Sequence, residues 1–420
     1  MKSLLTDRRE FLAVAAGAAL GCSSGAESGP SAPGIPPIRR ISAGPRFHWF
    51  GYYDKQQFDP TNRYVLGMEV DFEHRSPTPD DVIRIGMVDT AEGDKWIELG
   101  TSSAWGWQQG CMLQWVPGTS TKVIWNDRGA DGFVSHTLDV ESGEKRTFDS
   151  AIYAIAPDGK WAVTTDFRRL NDTRPGYGYA GFPDPNSDVL EPEDVGIWKL
   201  DLESGDRKLI FSVAAAAAVP NPHNETQGLK HYFNHLLVSP DGTRLIFLHR
   251  WRMPEGSRRR FNTRLFTIGS NGEDPYVLDP YGGTSHFIWR DPSHIMAWAT
   301  HPSHGEKFYL YEDQTEHVEV VGPEVMPRNG HNTYLPGFNN EWVLNDTYPD
   351  SDRIQHVYLY HVPTGERFPI ADLHSPPQYT GEWRCDNHPR SSRDGRTVCV
   401  DSPHSGGRQL HLIDISGIVG

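Results

Sequence analysis

The sequence predicts an all-β fold, a seven-bladed β-propeller. Three observations predict it: a strand–turn–strand pattern that repeats along the chain, a composition rich in turn-forming and aromatic residues, and a lack of long amphipathic helical segments. Among the 420 residues, 41 are glycine, 32 are proline and 11% are aromatic. Glycine and proline favour turns and aromatic side chains favour strands, so many short strands are expected. A regular α/β fold would need helices between the strands, and the sequence does not show them.

Each repeat starts with an apolar strand, a turn that contains Pro, Asp or Gly, and a second strand. The clearest turns are Asp158-Gly159, Asp241-Gly242 and Asp394-Gly395. Asp-Gly accepts the positive φ that a tight hairpin needs. A second hairpin follows each copy, for example at Ser204-Gly205, so that one repeat holds four strands. Seven such repeats, mostly about 40–60 residues apart, are typical of a β-propeller.

The propeller is predicted to occupy residues 39–420. The interval between the turns at residues 158 and 241 is longer than the others, and an insertion rich in Pro, Gly and Asp fills roughly residues 168–194 of it. The last repeat ends near residue 415 and is short of an outer strand. Residues 38–42 are predicted to supply that strand and to close the ring.

The N-terminal segment has the pattern of an export signal rather than of a folded element. Residues 1–22 contain Arg8-Arg9, a short apolar stretch and Cys22, which resembles a twin-arginine signal followed by a lipoprotein cleavage box. The alternative is a plain signal cleaved nearby, with Cys22 incidental. Residues 23–38 are rich in Ser, Gly and Pro and are predicted to be a linker. We therefore expect an exported protein, periplasmic or anchored as a lipoprotein, with membrane contact only through a lipid on Cys22.

Charge and cysteine content exclude several classes of function. The formal net charge is −15, which argues against a nucleic-acid partner because such proteins need a basic surface. Mean hydropathy is −0.56, and no apolar stretch reaches the roughly 20 residues that span a bilayer. The remaining cysteines, Cys111, Cys385 and Cys399, are too few for a disulfide framework and are interpreted as small buried residues, although Cys385 and Cys399 flank one turn and could pair.

Four successive repeats place a histidine at nearly the same position before the first turn. These residues are His235, His286, His331 and His388. First strands line the channel of a propeller, so we expect the four imidazoles to meet at one end of it. Imidazole is a common ligand of divalent metals, and Asp386 lies on the same side of the chain as His388. The alternative is that these histidines only form hydrogen bonds between neighbouring strands.

Two further groups of side chains are candidates for substrate contacts. An aromatic stretch at residues 48–55 ends in Tyr53 and Lys55, which would form either a sugar-binding rim or a core strand with a surface lysine. The second group contains arginines that could bind carboxylates through bidentate hydrogen bonds, or could simply be solvated at hairpin tips. Its members are Arg250, Arg252, Arg168 and Arg174.

The C-terminal 200 residues resemble the oligogalacturonate lyase family. Residues 284–289 (Thr-Ser-His-Phe-Ile-Trp) are similar to the family's Thr-His-Glu-Phe-Trp strand, residues 330–332 to a Ser-His segment, and residues 383–389 to Gln-x-x-His-Pro-His-Pro. The resemblance implies an exported seven-bladed propeller that cleaves uronides by β-elimination with a divalent cation, usually manganese. It implies metal ligands at His286, His331 and His388, with Asp386 where the family has a histidine, and a catalytic base at His235. Trp383 replaces the family's glutamine, and Ile197 stands where the family has a catalytic arginine.

We therefore expect an exported, metal-dependent lyase that acts on an acidic, uronate-containing oligosaccharide. By the resemblance the cation is manganese, with zinc or calcium as alternatives. His235 would border the channel mouth and abstract a proton, and Tyr53 or His249 would assist the leaving oxygen. Two other functions stay open at this point: a propeller without catalytic activity that binds a glycan or a protein at the cell surface, and a metal-dependent glycan hydrolase that uses the same site.

Overall fold

The computed structural model describes residues 34–420, which form seven four-stranded antiparallel sheets. The predicted seven-bladed propeller is confirmed. The predicted export signal, Cys22 and most of the predicted linker lie outside the described residues. No helix among the residues described is both long enough and apolar enough to cross a membrane.

The strands follow the chain blade by blade, and the first strand of each blade lies nearest the channel. Strand β1 (Ile38–Arg40) precedes blade 1, which consists of β2 (Phe47–Trp49), β3 (Tyr64–Val70), β4 (Ile83–Asp89) and β5 (Lys95–Ser102). Blade 2 consists of β6 (Gln114–Trp115), β7 (Lys122–Arg128), β8 (Phe133–Asp139) and β9 (Lys145–Phe148). Blade 3 consists of β10 (Ala154–Ile155), β11 (Trp161–Thr164), β12 (Gly196–Asp201) and β13 (Arg207–Ser212). Blade 4 consists of β14 (His231–Val238), β15 (Arg244–Arg252), β16 (Phe261–Gly269) and β17 (Tyr276–Gly282).

The second half of the ring repeats the arrangement. Blade 5 consists of β18 (Phe287–Asp291), β19 (His294–His301), β20 (Gly305–Glu312) and β21 (Val318–Val321). Blade 6 consists of β22 (Thr333–Tyr334), β23 (Trp342–Asn345), β24 (Ile354–His361) and β25 (Glu366–His374). Blade 7 contains β26 (Arg390–Ser391), β27 (Thr397–Ser402) and β28 (Gln409–Asp414). Three short helices, α1 (Phe167–Thr173), α2 (Val213–Ala218) and α3 (Ser416–Val419), and a 3-10 turn at Gly381–Trp383 lie outside the sheets.

Strand β1 completes blade 7 and closes the ring, as the sequence predicts. It pairs antiparallel with β28, with Ile38 opposite Ile413 and Arg40 opposite His411. Blade 7 therefore contains strands from both ends of the described chain. This pairing covers an edge strand that would otherwise expose unpaired backbone groups.

Apolar clusters between adjacent blades form the core. Trp49, Trp105 and Trp107 pack with ring centroids 5.1–5.5 Å apart between blades 1 and 2. The three described cysteines are buried and free, so the interpretation of Cys111, Cys385 and Cys399 as small buried residues is confirmed. The high aromatic content of the sequence is thus explained by the filling of wedge-shaped spaces between blades.

The insertion predicted in blade 3 connects β11 to β12 and contains α1. The Asp166 carboxylate accepts a hydrogen bond from the backbone N–H of Arg168 and caps this helix. The buried Arg169 guanidinium donates to backbone carbonyls that include those of His231 (2.7 Å) and Leu190 (2.8 Å), which fastens the insertion to blade 4. Arg169 therefore has a structural role.

Residues 174–179, named here the roof segment, extend from the insertion over the end of the channel. The Gly176 carbonyl accepts a hydrogen bond from the backbone N–H of Gln108, whose side chain donates in turn to the Glu382 carbonyl of the loop before blade 7. Gly176 has φ +94°, and a Cβ there would lie 2.9 Å from Cγ of Glu382. Only glycine fits this crossing without displacement of a neighbour.

Candidate metal centre

Three buried side chains from blades 6 and 7 meet at the roofed end of the channel. Ligand atoms of His331, Asp386 and His388 all lie within 4.8 Å of one another. Their residues are only 2–3% exposed. His331 lies just before β22, and Asp386 and His388 lie just before β26. Each group thus precedes the first strand of its blade, and the two blades are neighbours in the ring. His388 has φ 42°, a strained value for a residue other than glycine, which is commonly found at functional sites.

Asp346 orients both histidines. Its Oδ1 accepts from the His331 backbone N–H (2.8 Å), and its Oδ2 accepts from the His388 backbone N–H (3.1 Å). Its Oδ1 is also 2.9 Å from Nδ1 of His331. A carboxylate only accepts, so this contact places an imidazole hydrogen on Nδ1 and leaves Nε2 as the atom that can face a cation. Burial would lower the pKa of His331, but Asp346 raises it above its usual value, so a cation and a proton compete for Nε2. Carboxylates that hold the second nitrogen in this way are common around metal-ligating histidines.

The donor set of this triad fits a divalent cation. Nε2 of His331 and Nε2 of His388 are buried and have no hydrogen-bond partner within residues 34–420. Buried polar atoms without a partner are rare in folded proteins, and a ligated metal would satisfy both. Burial, followed by the proximity of His331, lowers the pKa of His388 well below its usual value, so this ring is neutral near pH 7. Two imidazoles and one carboxylate suit zinc or manganese better than calcium, which prefers oxygen ligands alone.

His286 lies beside the triad rather than within it. Its ring centroid is 4.2 Å from that of His331. Its Nδ1 is 3.0 Å from the side-chain oxygen of Asn329, and its Nε2 is 3.5 Å from the Tyr348 hydroxyl. The structure thus brings the three predicted histidines together, but Asp386 groups with two of them, and the role of His286 as a ligand stays a prediction.

His235 is buried beneath two tyrosines. It lies at a bulge in β14 with φ 52°, and its ring stacks on Phe287 at a centroid distance of 4.0 Å. Tyr52 packs edge-on against His235 (4.8 Å) and also against His388 (5.2 Å), and thereby stands between them. The side chain of His235 is 0% exposed, so it does not border the open channel mouth as expected from the sequence.

A buried aspartate fixes the tautomer of His235. Nε2 of His235 lies 3.0 Å from Oδ2 of Asp54, so the hydrogen is on Nε2 and the lone pair is on Nδ1, which has no partner among the described residues. Burial lowers the pKa of His235 to about 4 against the opposing effect of Asp54. Burial alone would raise the pKa of Asp54, but Lys55 and His235 lower it to about 2.

Three predicted site residues have other contacts. Lys55 is buried and forms an ion pair with Asp54 (Nζ–Oδ1 3.1 Å), so it does not lie on a sugar-binding rim. The Tyr53 hydroxyl donates to the Phe287 carbonyl (2.9 Å) and accepts from its N–H (3.0 Å), and ties blade 1 to blade 5. His249 lies inside blade 4 between His231 and Arg264, at 2.8 and 3.0 Å. Neither Tyr53 nor His249 has a free proton to offer to a substrate at the triad.

Two of the predicted arginines, Arg174 and Arg250, lie close to each other, and the other two lie elsewhere. Arg174 and Arg250 contact the same ring, that of Phe261, at 4.7 and 4.6 Å, and neither has a carboxylate within 4 Å among residues 34–420. Arg252 donates to the Asp172 carbonyl at the outer rim (2.7 Å). Arg168 pairs with Asp166 (2.6 Å) and lines a separate cavity of about 770 Å³ between blades 2 and 3.

Tyr177 and Arg384, which no sequence pattern indicated, complete the surroundings of the triad. Nε of Arg384 donates to Oδ2 of Asp386 (2.7 Å), and its Nη2 donates to the Tyr177 hydroxyl (2.7 Å). Arg174 donates to the same hydroxyl (3.3 Å). Asp346, also missed, follows the buried strand β23, and an acidic residue at the end of a buried strand is a signal that could have found it.

The fold and these side chains define a class: a seven-bladed propeller with a candidate divalent-metal site at one end of its channel, together with two arginines that have no carboxylate partner among residues 34–420. In overall structure the chain is similar to an oligogalacturonate lyase from Vibrio parahaemolyticus, with a TM-score of 0.62 and 13% identity over 91% of this chain and 94% of that one. It is equally similar to an oligogalacturonate lyase in complex with manganese, at 0.62 and 13% over 90% and 93% of the two chains. At this identity the likeness establishes a shared fold. No protein-family model matches the sequence, and a search of curated proteins found no relative.

Proposed function

We propose that the protein is an exported, metal-dependent lyase that cleaves an acidic, uronate-containing oligosaccharide by β-elimination. The observation that carries the proposal is the buried triad with two partnerless imidazole nitrogens beside two arginines that have no carboxylate partner. Both solved structures quoted above are oligogalacturonate lyases, and one holds manganese.

His331, His388 and Asp386 would hold the cation, with His286 as a further candidate ligand. When bound, a divalent cation coordinates a substrate carboxylate and acidifies the proton on the adjacent carbon. Manganese is the proposed metal, with zinc as the alternative that the nitrogen donors also suit. Calcium is the least suited of the three because of the imidazole ligands.

Arg174 and Arg250 would bind a carboxylate of the substrate. The protein carries a net charge of −15, so an acidic ligand is repelled at long range and needs a local positive site. Guanidinium groups bind carboxylates through two parallel hydrogen bonds, and both of these groups lie against Phe261, which holds them in place. Arg174, Tyr348 and Arg384 are half-buried, so part of each side chain reaches solvent.

His235 is the proposed proton acceptor. Its Nδ1 is unprotonated and without a partner, and Asp54 stabilises the positive charge that the ring gains when a proton arrives. Tyr52 covers this imidazole, so the proposal includes a displacement of the Tyr52 side chain when substrate binds.

The test is incubation of purified protein with a panel of oligouronides, with manganese or with a chelator. β-Elimination produces a 4,5-unsaturated uronate whose conjugated double bond absorbs in the ultraviolet. We expect this absorbance with manganese and its loss with chelator, and we expect His235→Asn to lower the rate by at least about 100-fold without loss of bound metal. New reducing ends without ultraviolet absorbance would indicate a hydrolase, and binding without either product would indicate a non-catalytic propeller. Either result would overturn the proposal.

A further inference from the structure

Among residues 34–420 only blade 3 carries the insertion that contains α1, and Arg384 bridges its Tyr177 hydroxyl to Asp386 of the triad. Tyr177 belongs to the roof segment of this insertion, and its ring packs edge-on against Tyr52 at 6.5 Å. Tyr52 in turn contacts His388 and His331 at 5.2 and 6.3 Å. The phenol ring and two of the candidate ligands thus pack against the same Tyr52 ring.

Two arginines hold the hydroxyl of Tyr177. Arg384 reaches it from the loop before blade 7 (2.7 Å) and Arg174 from the same roof segment (3.3 Å), and the Arg174 guanidinium also lies 4.2 Å from the phenol ring. A guanidinium can only donate, so both contacts occupy lone pairs of the phenol oxygen. The hydroxyl hydrogen therefore points away from the arginines, and any negative charge left on the oxygen is stabilised by both.

The charged and titratable groups around this phenol favour its ionised form. Burial alone would raise the pKa of Tyr177, but Arg384 and Arg174 lower it to about 8, against the opposing charge of Asp386. The other groups that face it are Arg250, Tyr52, Tyr348 and His331. At pH 7 the phenol still carries its proton, yet it is a stronger acid than an ordinary tyrosine.

We propose that Tyr177 is the proton donor to the leaving oxygen in the elimination, an inference that rests on the proposed function. The proton at C5 passes to Nδ1 of His235, the C4–C5 double bond forms, and the bond from C4 to the glycosidic oxygen breaks. That oxygen takes the hydroxyl proton of Tyr177, and the resulting phenolate lies between Arg174 and Arg384. After product release, solvent takes the proton from Nδ1 of His235 and returns one to Tyr177, so both groups regain their starting states. This assignment fills the role that Tyr53 and His249 cannot take, because their polar atoms are engaged elsewhere.

The test compares Tyr177→Phe with Tyr179→Phe, a matched variant in the same insertion. Tyr179 is also buried, but its hydroxyl accepts from Asn126, and burial raises its pKa well above that of an ordinary tyrosine. On an oligouronide that the wild type cleaves, we expect Tyr177→Phe to lower kcat by about 100-fold or more with little change in KM, and to remove the alkaline limb of the pH–rate profile near pH 8. Tyr179→Phe should retain both.

A second readout does not depend on activity. Ionised phenols absorb at longer wavelength than neutral ones, so a pH titration followed by ultraviolet difference absorbance counts tyrosines that ionise near pH 8. We expect the wild type and Tyr179→Phe to show one such group and Tyr177→Phe to lack it. The inference is overturned if the wild type shows no such group, or if Tyr177→Phe keeps activity within about threefold of the wild type. If the wild type cleaves no oligouronide although this group is present, the proposed function fails and the donor role fails with it.

Discussion

Asp346 is the residue through which both imidazoles of the triad are positioned. One carboxylate receives the backbone N–H groups of His331 and His388 and the Nδ1 hydrogen of His331. Neither histidine can rotate its backbone away while these bonds persist. The candidate site is therefore organised before any cation binds, which favours tight binding.

Removal of the Asp346 charge should weaken metal binding. We expect Asp346→Asn to lower manganese affinity by about 10–100-fold, because the amide holds Nδ1 of His331 less strongly and makes Nε2 a poorer donor. Calorimetric titration of metal-depleted protein measures this change. Asp350→Asn is the matched control, since Asp350 follows on the same loop and contacts His356 outside the centre. Equal affinities for the wild type and Asp346→Asn would contradict the role of Asp346 in positioning His331.

His411 makes stability sensitive to acid. Burial, with a smaller effect of His404, lowers the pKa of His411 to about 3 in the folded protein. Below the ordinary histidine pKa of about 6.5 the unfolded chain binds a proton that the folded chain does not. The contribution of the neutral His411 to the free energy of unfolding is therefore complete above pH 6.5 and is lost as pH falls. Between pH 7 and pH 5 the loss from this one group is about 2 kcal/mol.

Urea unfolding at pH 7 and at pH 5 checks this prediction. The fall in the free energy of unfolding should be about 2 kcal/mol smaller in His411→Gln than in the wild type. His317→Gln, at a side chain that is 57% exposed, should leave the fall unchanged. A His411→Gln variant with the wild-type pH dependence would show that His411 does not stay neutral in the fold.

At the scale of elements, the roof segment separates this chain from a plain ring of seven blades. It supplies Arg174 and Tyr177, and its crossing from blade 3 toward blade 7 depends on the close approach of Gly176 to Glu382. Gly176→Ala forces both an unfavourable φ and a steric conflict, at a cost of about 1–3 kcal/mol. We expect faster amide hydrogen exchange in residues 174–179 and weaker binding of an acidic oligosaccharide, with the metal affinity retained.

Gly143→Ala is the control for the backbone effect alone. Gly143 has φ +76°, but a Cβ there meets no atom within 4 Å. This variant should lose some stability and leave exchange in the roof segment unchanged. Hydrogen exchange measured by mass spectrometry separates the two effects, and unchanged exchange in Gly176→Ala would show that the crossing tolerates a side chain.

At the scale of the whole molecule, the ring brings together residues that are far apart in sequence. Asp54, Tyr177, His235, His331 and His388 come from five different blades and lie around one end of the channel. The net charge of −15 is spread over the chain, whereas Arg174, Arg250 and Arg384 are concentrated at this end. The protein thus combines a negative net charge with a local group of arginines at this end of the channel.

The sequence predicted those parts of the fold and of the candidate site that depend on the repeat, and it did not predict contacts that occur only once in the ring. The Asp-Gly turns and the common register of His286, His331 and His388 predicted the blades and the clustering of these imidazoles, because both depend on a local pattern. The partners of Tyr53 and His249 depend on contacts across blades, which no local pattern encodes. The Tyr177–Arg384 bond joins residues 207 positions apart, through an insertion without counterpart in the other repeats.

Anomalous diffraction from crystals soaked with manganese locates the metal in the protein without a known substrate, and therefore decides whether the triad is a metal centre. We expect one strong manganese peak at bonding distance from Nε2 of His331, Nε2 of His388 and the Asp386 carboxylate, and its absence in crystals of His331→Ala. A wild-type crystal with no peak at the triad, or with manganese bound only elsewhere, would contradict this expectation.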